Sequence, residues 1–181
     1  DIDLDAARQA GISGCYWPIR MTVMVAEHII MQMVSLAKRL RESMYAISLD
    51  KDWGIAPQLC DEDTFVLNFT GRQNIGTLYK TTAGIVGFGE IGIELARRLK
   101  GFDCKVLYNK RSRLSNYAES DLNIQFASRD DLLRQSDFVV MLLPYEPETA
   151  ACVNKEFIAK MKKGAFLVSC GASGIYNEAD V

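Results

Sequence analysis

Metal and disulfide chemistry have little to build with in this sequence. It holds one histidine, His28, and five cysteines, Cys15, Cys60, Cys104, Cys152 and Cys170, scattered and without a Cys-x-x-Cys pair. So odd and dispersed a set supports neither a disulfide framework nor a zinc site, and a reducing, cytoplasmic setting with no metal is expected. No apolar run approaches the roughly 20 residues that span a bilayer. The start, Asp1-Ile2-Asp3-Leu4, lacks an initiator Met and the basic and apolar regions of a signal peptide, so an internal segment of a longer protein is expected. Long basic runs are missing too. The formal net charge of −2 is spread over mixed signs, which points away from nucleic acid and anionic membranes as partners.

The 181 residues, 49% of them hydrophobic and 24% charged, are enough for one good core of the soluble globular class. From Val25 the apolar residues Ile29, Met33, Leu36 and Leu40 recur at three- and four-residue steps, followed by Lys38, Arg39 and Arg41. This predicts a long amphipathic helix over 22–46. Segment 49–79 carries little periodicity and several Gly, Pro and Asn residues, so it is expected to be an extended arm. Short apolar strands and helices then alternate: 83–87, 91–99, 105–108, 129–134, 138–143, 155–161 and 165–170. That order predicts an α/β fold, a doubly wound parallel sheet of Rossmann type covered on both faces by helices. Its strands' carboxyl ends share one edge, where a ligand can lie. The expected organisation is the long helix over 22–46, the arm over 49–79 and the sheet core at 81–181.

Gly87-Phe88-Gly89-Glu90-Ile91-Gly92 is a weak motif alone, but the strand Gly84-Ile85-Val86 precedes it and a helix follows. In that context Gly87 permits the tight turn, Gly89 lets the backbone approach a pyrophosphate, and Gly92 lets helix and strand pack closely. The helix N-terminus supplies N–H donors and a positive dipole. The second strand ends about twenty residues past the last glycine, where NAD-binding folds place an Asp or Glu on the adenosine ribose. Here that position holds Asn109, followed by Lys110, Arg111 and Arg113. A carboxylate that would repel a 2′-phosphate is missing and cations that could pair with one are present, so NADP is expected in preference to NAD. The bland alternative is a solvated charged loop.

With these motifs in register, the chain resembles the D-isomer-specific 2-hydroxyacid dehydrogenases, the family that includes phosphoglycerate dehydrogenase and glyoxylate/hydroxypyruvate reductase. The likeness also rests on Ile2-Asp3-Leu4-Asp5-Ala6-Ala7 with Gly11-Ile12, Val25-Ala26-Glu27-His28, Ser136-Asp137-Phe138-Val139-Val140, Leu143-Pro144 through Pro147-Glu148-Thr149, and Met161-Lys162-Lys163-Gly164-Ala165-Phe166-Leu167-Val168. The resemblance implies interconversion of a small 2-oxo acid and a D-2-hydroxy acid, and a homodimer formed through the long helix and arm. It divides the chain into a linker over 1–21 and a dinucleotide-binding domain over 22–181, and places Pro144 at the adenine side of the cleft, Leu143 among the cofactor-binding residues, Thr149 near the cofactor, and Cys170, Gly171 and Ala172 beside the nicotinamide ribose.

The departures are specific. Tyr16 and Met21 replace asparagines common in the family, and Glu146 replaces a usual Thr. Where the family's Asn-x-x-Arg-Gly-Gly motif clamps the substrate carboxylate with its Arg, this chain reads Ser169-Cys170-Gly171-Ala172-Ser173-Gly174, and Ala172 brings neither charge nor donor. The family's Glu and His proton donors, its smaller substrate domain and the sheet's later strands lie outside 1–181, so the sheet is expected to be incomplete here and no catalytic residue is expected within it. His28 and Glu27, on the first helix, read as structural. A dehydrogenase is therefore expected. A cofactor-binding regulatory or corepressor-like module without turnover is the alternative that Ala172 suggests, and a dimerisation unit is the blandest.

Overall fold

A computed structural model describes residues 3–13, 21–49 and 74–181. Seven helices and five strands follow in the order α1 (Leu4–Gln9), α2 (Met21–Ala37), α3 (Leu40–Ser48), β1 (Thr82–Val86), α4 (Glu90–Leu99), β2 (Lys105–Asn109), α5 (Asn116–Leu122), β3 (Ile124–Phe126), α6 (Arg129–Gln135), β4 (Phe138–Met141), α7 (Lys155–Ala159) and β5 (Phe166–Ser169). All strand pairs are parallel and the spatial order is β3-β2-β1-β4-β5. The chain runs outward from β1 through β2 to β3, then crosses back to lay β4 on β1's other side. A crevice therefore opens between the carboxyl ends of β1 and β4, where the strand order reverses.

Side chains alternate across the sheet, so each strand feeds two cores. Ala83, Ile85, Val106, Tyr108, Phe138 and Val140 pack beneath α2 and α4, while Val86, Leu107, Val139 and Met141 join Leu132, Leu133 and Phe157 on the other face. All four residues of β4 are buried, as a strand covered on both faces requires. On α4 the buried residues Gly92, Leu95, Ala96 and Leu99 recur at three- and four-residue steps. Its first turn carries Glu90 and its last Arg97 and Arg98, which complement the helix dipole. Glu94 binds both arginines at 2.6 Å.

Two elements differ from expectation. The helix expected over 22–46 is divided: Arg39 takes a φ of 50° between α2 and α3. The Ala37 carbonyl, which a continuous helix would offer to residue 41, instead accepts the Gly76 N–H at 2.7 Å. A contact from a segment some forty residues away thus ends α2, without any Gly or Pro at the break. α5 and β3 had no counterpart in the sequence pattern. α5 has only seven residues, capped by Ser115 and closed by Asn123 at φ 54°, and β3 has three, too few for either period to register.

Within the expected linker, residues 3–13 hold the short α1, capped by the Asp3 side chain on the Asp5 and Ala6 N–H groups. Most of the expected arm, together with Cys15, Tyr16 and Cys60, lies outside the described residues. Among the described residues no helix is long and apolar enough to cross a membrane.

Helix–strand contact is closest at Gly84 in β1, where a Cβ would overlap the Ser136 hydroxyl and the Leu132 side chain of the α6 segment. Both residues are fully buried. Gly84→Ala is expected to cost about 2 kcal/mol and lower Tm by roughly 4–8 °C, measured by thermal unfolding.

Candidate functional site

Strand β1 leads into Gly87, whose φ of 91° is the left-handed conformation that favours glycine. A Cβ there would meet the Leu142 carbonyl carbon at 2.8 Å and the Leu143 nitrogen at 2.9 Å, so the ends of β1 and β4 close on each other only around a glycine. Gly87 donates its N–H to the Asn109 carbonyl at 3.0 Å, which ties the turn to the end of β2. Gly89 caps α4, and no atom lies within 4 Å of where its Cβ would be. No side chain caps the helix, so its first N–H groups face the crevice with positive dipole and no internal acceptor.

Gly92 has a different neighbour from the one expected. A Cβ at Gly92 would press on the Phe88 ring at 2.9 Å, so its absence seats Phe88 under the first turn of α4. It is Gly84 that permits the close helix–strand approach, and against α6 rather than α4. Phe88 is itself core, 4.8 Å from the Tyr108 ring, and borders the cleft from below.

A cleft of about 420 Å³ is lined by Gly87, Phe88, Gly89, Lys110, Arg111, Ser112, Leu142, Leu143 and Pro144. Seven of the sequence-derived candidates thus share one concavity at the carboxyl edge of the sheet. Glu90 and Ile91 follow it in the first turn of α4. Asn109 spends its side-chain amide on the Ala127 carbonyl at 2.9 Å, joining the ends of β2 and β3. Arg111 is nearly fully exposed and approaches Glu146 to 4.0 Å, an open pair of little energetic weight. Arg113, expected among the cations near the ribose, turns away from the cleft and binds Glu119 through two nitrogens at 2.9 and 2.7 Å.

Thr149 staples its own loop: its hydroxyl donates to the Pro144 carbonyl at 2.7 Å and accepts the Glu146 N–H at 2.8 Å. Gly171 and Ala172 run against Leu143. A Cβ on Gly171 would meet the Leu143 carbonyl oxygen at 2.9 Å, and the Ala172 N–H donates to that oxygen at 3.3 Å. The Ala172 methyl packs against the lower core. The half-buried Cys170 thiol lies 3.7 Å from the Gln32 side-chain oxygen, and burial pushes its pKa up, so it stays protonated at neutral pH. Gln32 also meets His28, 3.1 Å away on the exposed side of α2.

The sequence pattern gave no sign of Glu119, a carboxylate with 11% side-chain exposure that accepts from Arg113 and from the Tyr108 hydroxyl, the latter at 2.6 Å. These two donors hold its pKa down to about 2. The unfolded chain protonates this glutamate in the usual range near 4.5, so its stabilising contribution is complete above that pH and disappears as the pH falls toward 2. In urea unfolding across that range, the stability advantage of the unmodified protein over Glu119→Gln should shrink steadily with falling pH.

Residues 30–181 match the family described as D-isomer specific 2-hydroxyacid dehydrogenase, NAD binding domain. A glyoxylate reductase of Thermococcus kodakarensis is 36% identical over 173 residues, which cover 93% of this chain and 48% of that protein. A D-3-phosphoglycerate dehydrogenase of Synechocystis is 30% identical over 179 residues, 98% of this chain and 29% of that protein. Among solved structures, a Granulicella formate dehydrogenase superposes with a TM-score of 0.77 at 27% identity, over 98% of this chain and 44% of its own. Apo D-lactate dehydrogenase from Escherichia coli gives 0.71 at 27%, over 99% and 51%. The chain spans about half the length or less of these relatives.

Proposed function

Because the chain belongs to the D-isomer-specific 2-hydroxyacid dehydrogenase family, as its NAD-binding domain, we propose that it forms the cofactor half of an oxidoreductase that interconverts a small 2-oxo acid and the D-2-hydroxy acid. The observation that carries this is the uncapped N-terminus of α4 opening onto the crevice beside Gly87 and Gly89. The open space at Gly89 and the 420 Å³ cleft fit a dinucleotide pyrophosphate. A bound nicotinamide cofactor supplies the hydride chemistry.

The chain's own residues bind and orient. The first-turn N–H groups of α4 receive the pyrophosphate, Leu143 and Pro144 wall the adenine side, and Lys110 and Arg111 face the adenosine ribose. Gly171 and Ala172 flank the other end of the crevice through their contact with Leu143, and Cys170 precedes them with its N–H on the Met141 carbonyl. With Asn109 in place of a carboxylate and two cations beside it, NADP is the preferred form. Ala172 supplies no donor for a substrate carboxylate, so the anchor for the acid comes from elsewhere in the protein. The exposed Met24, Met31 and Met44 on α2 and α3 suit a homodimer interface.

Ala172 also favours a second reading, a cofactor-binding regulatory module without turnover. Fluorescence titration of the full-length protein with NADPH and NADH, followed by turnover assays with glyoxylate and hydroxypyruvate, separates the two. Tighter NADPH binding with turnover is the expected result. Equal or tighter NADH binding overturns the cofactor preference, and saturable binding without turnover favours the module. In an active protein Ala172→Arg should raise kcat/KM toward 2-oxo acids by about tenfold or more, as a donor restored at the reacting centre does.

A further inference from the structure

The side of the β2–α5 loop turned away from the cleft is held by one carboxylate. Glu119 on α5 accepts from the Tyr108 hydroxyl on β2 and from Nε and Nη2 of Arg113 in the loop. The Tyr108 oxygen in turn accepts the Leu114 N–H at 2.9 Å, and the Arg113 guanidinium stands 6.0 Å over the Phe126 ring of β3. The loop's other end is fixed at Asn109, whose carbonyl accepts from Gly87 and whose amide donates to Ala127. Both ends of the loop are therefore anchored to the sheet. Lys110, Arg111 and Ser112, between them, line the cleft. Of these three, only Arg111 approaches a charged group among the described residues, Glu146 at 4.0 Å.

The pair is bidentate and charge-assisted, on a carboxylate with 11% side-chain exposure and an arginine with 57%, and removing the acid would leave Arg113 and Tyr108 without the acceptor that holds them. One of the three cations that follow Asn109 is thus paired with Glu119 outside the cleft lining while the other two line the cleft. We infer that Glu119 is a positioning residue for discrimination at the adenosine 2′ position: it withholds Arg113 and, through Arg113 and Tyr108, fixes the loop so that Lys110 and Arg111 face a 2′-phosphate. The inference rests on the cleft being a dinucleotide site.

The test is the dissociation constants of NADPH and NADH for the full-length protein and for Glu119→Gln, Arg113→Met, their double variant and Tyr108→Phe. Releasing the loop makes two long side chains pay ordering entropy on binding, so NADPH should weaken about tenfold in Glu119→Gln and in Arg113→Met, with NADH changed by less than about twofold. The double variant should be no worse than either single one, because the pair acts as a unit. Tyr108→Phe keeps the ion pair but removes the hydroxyl that donates to Glu119 and accepts from the Leu114 N–H, and should shift the ratio by a smaller factor in the same direction. If Glu119→Gln does not fold, Arg113→Met and Tyr108→Phe decide the matter.

Tighter NADPH binding in Glu119→Gln would mean that freed Arg113 is itself the phosphate contact, and would overturn the inference. So would equal weakening of both cofactors, which a merely structural role produces. If the unmodified protein favours NADH, the NADP preference falls. The inference is then still judged by the ratio, standing if the variants shift it against NADPH and falling if they leave it unchanged or shift it the other way. Absence of binding by either nucleotide overturns both.

Discussion

The centre of this domain depends on how closely β1 can be approached. Gly84 lets the α6 segment sit directly on the strand, with Leu132 and Ser136 in the space a side chain would fill. Gly87, three residues further on, lets the segment after β4 cross against the glycine turn at Leu142 and Leu143. Move either neighbour outward by the width of a methyl group and the sheet loses its packed lower face or its crevice. Close packing transmits such shifts rather than absorbing them. The position of α4 follows from the same turn, because Gly89 and Gly92 let the helix begin over Phe88 with its N–H groups toward the strand edge.

Electrostatics then divides the cleft's rim into committed and uncommitted charge. Arg113 and Glu119 satisfy each other outside the cleft lining, as Arg97, Arg98 and Glu94 do toward the far end of α4. Lys110 and Arg111 remain on the cleft side, and Glu146 is the one carboxylate brought near either of them among the described residues. Thr149 contributes to this arrangement by closing the loop that carries Glu146. Asn109 likewise uses its amide to join two strand ends. Several residues expected to bind a nucleotide are thus also bound into the scaffold that shapes the cleft.

The β–α alternation, the parallel sheet and the glycine turn were legible from sequence because each rests on local information. Buried strands read as apolar runs, α4 shows its buried stripe every three to four residues, and a turn at positive φ asks for glycine at Gly87. The same locality identified Gly87, Gly89, Lys110 and Arg111, and the family resemblance added Leu143 and Pro144; the fold gathers all six into one concavity. Only the tertiary structure decided the rest, since those outcomes depend on partners distant in sequence. Gly76 ends α2 at Ala37, Phe88 rather than a strand explains Gly92, and α6 explains Gly84. The fate of Arg113 was settled in the same way. Its charge is plain in the sequence, but its direction depends on Glu119 and Tyr108 meeting across β2 and α5, a contact that no spacing rule encodes.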